Sequence, residues 1–309
     1  MIESSMNFTL GLSEGIAWPW PIAVYLFLAG ISGGSIAVAI LLNMFKGKNN
    51  ENTPLIKAAS VLGLVTILLG MVCLVLDLTN PLFFWRILVY YNPTSVMSLG
   101  VMALLFYIPL VFVLTMVVLN DELKCCGFLK GLSDWFAGFR GPLLWIVLVL
   151  ALTICAYTGF LISALIRFPL INQAVLPALF VASGLSAGAA ASKMMAVGMF
   201  GDNIESHDMH ALHKAEWPIM AAEALCIFMI AVALISGNAA AQAAASAFCE
   251  GTWATVFWVG VVGVGFGLPV VIGFMRQTAG TFFLSGLASV AGMMCLRMFI
   301  LYAGQLNAI

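Results

Sequence analysis

The chain of 309 residues is 63% hydrophobic and only 8% charged. An ordinary soluble domain carries roughly 25% charged residues, so this sequence lacks the polar material to coat a water-soluble globule and reads as an integral membrane protein. Its formal net charge of −1 and the absence of any lysine or arginine run remove the electrostatic footprint that nucleic-acid binding needs.

The first twenty residues, MIESSMNFTLGLSEGIAWPW, carry acids, no basic segment and no A-x-A site after a short apolar core. A cleaved signal peptide is therefore not expected, and the mature chain is expected to begin near Met1. Apolar runs of about twenty residues, enough to cross a ~30 Å hydrocarbon layer, predict an all-α fold of eight spans near 19–45, 55–78, 93–119, 141–166, 173–200, 213–236, 252–274 and 278–303. Residues 1–18 form an N-terminal segment, 19–166 a first four-helix bundle and 167–309 a second. Lys46, Lys48, Lys57, Lys124, Lys130, Arg140, Lys214 and Arg276 fall in the 1–2, 3–4, 5–6 and 7–8 connections, whereas the opposite side holds only Arg86 and Arg167. Basic residues favour cytoplasmic connections, which directs both termini outward, to the periplasm in a Gram-negative cell.

The first span contains LFLAGISGGSIAV from Leu26, and the fifth contains LFVASGLSAGAAAS from Leu179. With one inserted residue the two superpose, so that Gly30 and Gly34 match Gly184 and Gly188. Each pair is a small-xxx-small motif, which lets helix backbones approach closely in lipid. A parallel duplication of a four-helix unit accounts for the repeat; the plainer alternative is that glycine-rich membrane helices resemble one another by composition.

Ionisable groups at bilayer depth are costly unless paired or hydrated, which makes each a candidate for function. Tyr25 in the first span, Asp77 at the end of the second, Tyr157 in the fourth and Arg297 in the eighth fall in the outer third, with Arg86 and Arg167 in adjoining outer loops. The stretch LDLTNPLFFWRILVYYNPTSVMS, residues 76–98, ends the second span at Asp77 and turns at Asn80-Pro81. Its LFFWRILVYY reads as a short amphipathic element in the aromatic interfacial belt. Asn92 and Pro93 then read as N-cap and first residue of the third span. Such a loop caps an amphipathic cleft whose carboxylate, phenols and guanidinium suit a quinone: apolar walls for ring and tail, and hydrogen-bond partners for the two oxygens. Arg86 reads equally as a phosphate-snorkelling residue, and Tyr25 alone as an interfacial anchor.

Further inward, Lys193 and Glu223 lie ~10–15 Å deep, close enough in depth to pair. They form either an ion pair that fixes helix packing or part of a proton path. His207, His210 and His213 cluster in IESHDMHALHKAEW, which reads as a solvated loop before the sixth span and offers no histidines on separate helices for bis-histidine haem ligation. The seven cysteines, Cys73, Cys125, Cys126, Cys155, Cys226, Cys249 and Cys295, include no C-x-x-C, so an iron–sulfur cluster is expected on a partner rather than on this chain.

The segments WPWPIAVYLFLAGISGG, LDLTNPLFFWRILVYYNPTSVMSLG, YTGFLISAL and LFVASGLSAGAA resemble, in order, those of NrfD/PsrC-type membrane subunits, the quinone-handling anchors of nitrite, polysulfide, thiosulfate and tetrathionate reductase complexes. The resemblance implies two four-helix bundles in the bacterial inner membrane and a non-covalent menaquinone or ubiquinone site near the outer face. It also implies a ferredoxin-like [4Fe–4S] partner and a molybdopterin or multihaem catalytic subunit. Members of the polysulfide-reductase kind place a first-span histidine and asparagine and a fourth-span tyrosine around the quinone. Tyr157 matches that tyrosine, whereas Tyr25 and Ile22 stand where the histidine and asparagine would be. The wording of the first span is closer to the nitrite-reductase-associated branch.

The expected site is therefore Asp77 and Tyr157 as proton acceptors, with Tyr25, Arg86 and Arg297 as further quinone-binding residues, and Lys193 and Glu223 on a proton path. Two rivals remain at this level, a secondary transporter with helices broken at Pro109, Pro177, Pro218 and Pro269, and a passive anchor for a soluble enzyme.

Overall fold

In hydrocarbon every backbone N–H must find its acceptor within the same segment, so uninterrupted apolar runs fold as helices. The computed structural model describes residues 18–47, 51–78, 85, 92, 95–120, 122, 127–275 and 278–306, and among these it contains helices and turns but no strand. The helices are α1 (Trp20–Phe45), α2 (Pro54–Leu76), α3 (Val96–Val118), α4 (Gly127–Ala137), α5 (Arg140–Ser163), α6 (Leu176–Met199), α7 (His207–Ile235), α8 (Ala239–Ala245), α9 (Gly251–Gly273) and α10 (Ala279–Leu306). All but α4 and α8 are long and apolar enough to cross a membrane, which gives the eight expected spans.

Several ends differ from expectation, for local reasons. Helix α3 starts at Val96 with Ser95 at its N-cap, while the Asn92 carbonyl accepts a turn hydrogen bond from the Ser95 N–H at 3.1 Å. Helix α7 starts at His207, because the Ser206 hydroxyl caps the Met209 N–H at 3.3 Å. The three histidines thus lie on the opening turns of a helix rather than in a loop. Of the four prolines, Pro109 and Pro218 lie inside α3 and α7, but Pro177 sits in the first turn of α6, where a missing N–H costs nothing. Pro269 follows a π-helical stretch, Val256–Gly267, within α9. There α9 meets α10 closely: a Cβ on Gly265 would sit 2.9 Å from the Gly292 Cα.

Helix α1 is the axis of the fold. In its most apolar stretch 78% of residues are buried, against 17% in α7, which lies at the periphery of the fold. It packs on α2, α5, α6 and α10; α3 packs on α2 and α5, α6 on α7 and α10, and α9 on α10. The α1–α6 contact is made by the two repeat copies. A Cβ on Gly184 would lie 3.1 Å from the Gly30 carbonyl oxygen, and one on Gly188 would lie 2.8 Å from the Gly34 Cα. The matched glycine pairs therefore face one another on parallel helices, as small-xxx-small packing requires.

Some polar groups in the core are satisfied across helices. The Ser32 hydroxyl donates to the Gly63 carbonyl at 2.7 Å and lies 2.9 Å from the Tyr107 hydroxyl, tying α1 to α2 and α3. At the opposite edge, the Trp18 N–H donates to Gln305 Oε1 at 3.0 Å and Gln305 Nε2 donates back to the Trp18 carbonyl at 3.2 Å. The two ends of the described chain thus meet on one side, called here the termini side; the other, which holds Lys46, Lys57 and Arg140, is the basic side. Arg86 and the amphipathic element around it, together with Lys48, Lys124, Cys125, Cys126, Arg276 and residues 1–17, lie outside the described residues.

Candidate functional site

Near the termini side, Tyr25 projects from α1 into the core and is only 1% exposed. Its placement excludes the lipid-anchor reading. Its hydroxyl makes no hydrogen bond among the described residues, which is costly for a buried phenol unless something else pairs with it. Tyr157 on α5 lies within electrostatic reach of Tyr25 and donates to the Met97 carbonyl on α3 at 3.4 Å. Its ring rests directly on Gly100, where any side chain would collide with it. Asp77 caps the C-terminus of α2, its N–H donating to the Cys73 carbonyl at 3.2 Å. It is half-buried, forms no ion pair among the described residues, and burial raises its carboxyl pKa above the ordinary value.

Arg297 sits deeper. It is 1% exposed, its guanidinium lies 3.5 Å from the Phe180 ring centre, and Nη2 donates to the Phe180 carbonyl at 3.1 Å. A Cβ on Gly30 would come within 3.3 Å of Nη2, which places the charge ~15 Å below the start of α1 at ~1.5 Å per residue. Glu223 on α7 is 6% exposed and lies within electrostatic reach of Ser186 on α6 and of the Arg297 charge. The Nε and Nη1 atoms of Arg297 have no hydrogen-bond partner among the described residues.

A family model described as "Polysulphide reductase, NrfD" matches residues 9–308. The chain belongs to the NrfD family. It is 40% identical over 304 residues to the C subunit of polysulfide reductase from Wolinella succinogenes, covering 94% of this chain and 95% of that protein. To the NrfD homolog of Haemophilus influenzae it is 35% identical over 309 residues, with 96% of each covered. To protein NrfD of Escherichia coli it is 34% identical over 307 residues, covering 95% of this chain and 96% of the other. Among these three the identity is higher to the polysulfide-reductase subunit, contrary to the branch that the wording of the first span suggests. By family and by its helices, this NrfD-type subunit is a multi-pass protein of the bacterial inner membrane.

The basic half of this NrfD-family protein holds a second buried charge cluster. Lys193 and Glu223 do not pair. The Lys193 ammonium instead lies 2.5 Å from Glu216 Oε1, and Glu216 Oε2 is 3.2 Å from His213 Nδ1. Sequence reasoning missed Glu216 and His213, along with Tyr107 and Ser186. Glu216 and Glu223 are seven residues apart on α7 and therefore share a face; that spacing was the available signal.

Proposed function

We propose that this protein is the quinol-oxidising membrane subunit of a respiratory reductase complex, passing electrons to a ferredoxin-like [4Fe–4S] partner that serves a molybdopterin or multihaem catalytic subunit. The reading places the termini side at the periplasmic face and the spans in two four-helix bundles, 19–166 and 167–309. The observation that carries it is the buried Tyr25 phenol, without a hydrogen-bond partner among the described residues and within electrostatic reach of Tyr157, in a member of the NrfD family. A relative named as a polysulfide reductase subunit supports membership of a reductase complex.

Menaquinol or ubiquinol, when bound, supplies two electrons and two protons. Tyr25 and Tyr157 hydrogen-bond the ring oxygens, and the hydrophobic walls of α1, α3 and α5 exclude water. Asp77 takes up a proton, and the Tyr157 hydroxyl can relay one; Asp77 is well suited because partial burial moves its carboxyl toward neutral pH. Arg86 and Arg297 offset negative charge that develops on the bound ring. Lys193 and Glu223 belong to a proton path, in which Lys193 acts through Glu216.

The test uses the purified complex. Asp77→Asn and Tyr157→Phe are expected to impair quinol-dependent reduction of the partner's clusters while leaving the catalytic subunit's activity with artificial dyes intact. Normal quinol turnover in both variants would remove this site. Quinone extracted with the isolated protein and identified by mass spectrometry would argue against both the transporter and the passive anchor.

A further inference from the structure

We infer that a groove on the termini side holds one phospholipid, with an acyl chain seated between α6, α7, α9 and α10 and a zwitterionic aminophosphate headgroup between Arg167 and Glu250. The groove encloses about 290 Å³ and is lined by leucine, isoleucine and phenylalanine alone. Leu176 and Leu179 come from α6, Ile227 and Ile230 from α7, and Leu296 from α10. Phe257 of α9 and Phe299 of α10 meet at 4.9 Å, and Phe248, in the turn before α9, packs on them at 4.8 and 5.0 Å. The Trp258 indole N–H donates to the Phe248 carbonyl at 2.8 Å, which fixes that turn against α9. Of the lining residues only Ile227 and Phe248 are partly exposed. The groove therefore opens outward between α7 and Ser246–Phe248.

Such walls offer water no hydrogen-bond partner and stay dry, and walls with no atoms against them forgo their dispersion contacts. In a membrane protein the filling at hand is hydrocarbon. A quinone ring fits poorly, because its two oxygens would find no donor among the lining side chains. The repeat that pairs Leu26 with Leu179 also pairs Tyr25 with Ala178, so α6 carries no phenol at the level where α1 carries Tyr25. The rim supplies charges for a headgroup instead. Arg167 precedes the lining residue Leu170 by three positions, at most ~11 Å along the chain. The Ile171 and Asn172 N–H groups donate to the Phe168 carbonyl at 3.1 and 2.8 Å, which keeps that segment compact. Glu250 follows the lining residue Phe248 by two positions. Both are exposed, and neither forms an ion pair among the described residues. A guanidinium suits a phosphate and a carboxylate an ammonium, the two charges that a phosphatidylethanolamine headgroup carries together. Trp258, 56% exposed, stands beside them as interfacial tryptophans do.

The site requires the membrane but not the quinol reading. It is tested with the complex in phosphatidylcholine vesicles that contain a trace of phosphatidylethanolamine bearing a diazirine in one acyl chain. After irradiation, residue-resolved mass spectrometry is expected to find label on Phe257, only 5% exposed, as well as on the outward-facing Trp145. With the label fraction held constant, replacing the phosphatidylcholine by phosphatidylethanolamine should lower the Phe257 signal about fivefold. Phosphatidylglycerol should lower it distinctly less, and neither should change Trp145. Ile227→Trp, which plugs the mouth, is expected to abolish label on Phe257. Arg167→Gln, in an exposed turn, should reduce it about fivefold. Absence of label on Phe257, or parallel changes at Phe257 and Trp145, would overturn the groove as a lipid site. Equal competition by phosphatidylglycerol, or unchanged labelling in Arg167→Gln, would overturn the headgroup assignment. Label displaced by added menaquinone but not by phosphatidylethanolamine would give the groove to an isoprenoid tail and overturn the phospholipid.

Discussion

Arg297 lies face-on over Phe180, 3.5 Å from the ring centre, and donates to the carbonyl of that same residue at 3.1 Å. One side chain of α10 therefore grips one residue of α6 through both ring and backbone, while its charge answers Glu223 from α7. Removing the guanidinium loses that charge-assisted hydrogen bond, worth about 1.5–3 kcal/mol, and the field it exerts on Glu223. Arg297→Met is accordingly expected to lower unfolding stability in detergent by about 2 kcal/mol. Adding Glu223→Gln should restore at least ~1 kcal/mol of this loss, because residues in one network are not additive. Strict additivity in the double-mutant cycle would show that the two charges are independent.

The glycine contact between α1 and α6 makes an ordered prediction. A Cβ on Gly34 would run into the Gly184 peptide, which cannot move without parting the two helices, whereas a Cβ on Gly63 would meet the far end of the Ile36 side chain, which can rotate. Gly34→Ala is thus expected to cost about 1–3 kcal/mol, as overpacking does, and Gly63→Ala distinctly less. On exposed α4, where a Cβ at Gly131 meets nothing, Gly131→Ala should gain about 0.5–1 kcal/mol by reducing the freedom of the unfolded chain. Thermal melts of the three variants in one detergent give the ranking, and a Gly63 variant less stable than the Gly34 variant would contradict it.

Asp77 ties stability to pH. Burial at the end of α2 raises its carboxyl pKa, so the fold favours the neutral acid. The contribution of that preference is fully present below the unfolded pKa of ~3.9 and is lost as pH rises through the folded value. Asp77→Asn, neutral at every pH, should therefore melt above the wild type at about pH 8, and the gap should close on acidification toward about pH 4. A gap that widens on acidification would mean that the carboxylate is stabilised in the folded state, by Arg86 or another cation.

The eight spans were readable because continuous apolar runs carry their own length requirement, and the glycine register of Gly30/Gly34 with Gly184/Gly188 was readable because close packing leaves a compositional trace. Helix α4, GFLKGLSDWFA, and helix α8, AAAQAAA, are too short to register as spans. The partner of Lys193 was not readable. Glu216 and Glu223 occupy the same face of α7, and which of them meets α6 depends on the axial offset between the two helices, which neither sequence encodes locally. Depth alone suggested Glu223, whereas the early start of α7 at His207 accompanies a register in which Glu216 meets Lys193. Tyr107 is not legible in the sequence, because a lone phenol in an apolar run has the pattern of packing, and only the fold sets its hydroxyl 2.9 Å from that of Ser32.

Gly100 offers a way to disturb Tyr157 without deleting its hydroxyl. The Tyr157 ring occupies the space a side chain at position 100 would need, so Gly100→Ala must push the phenol off the Met97 carbonyl that now accepts from it at 3.4 Å. Displacement of a reacting group by about 1 Å commonly costs up to about a hundredfold in rate. Gly100→Ala is therefore expected to slow quinol-dependent cluster reduction by roughly tenfold to a hundredfold, with dye-driven activity of the catalytic subunit retained. If Tyr157 serves only packing, Gly100→Ala would shift the melting temperature and leave the quinol rate alone. A slow quinol rate in a variant that still melts near the wild type would instead place the phenol at the reacting oxygen.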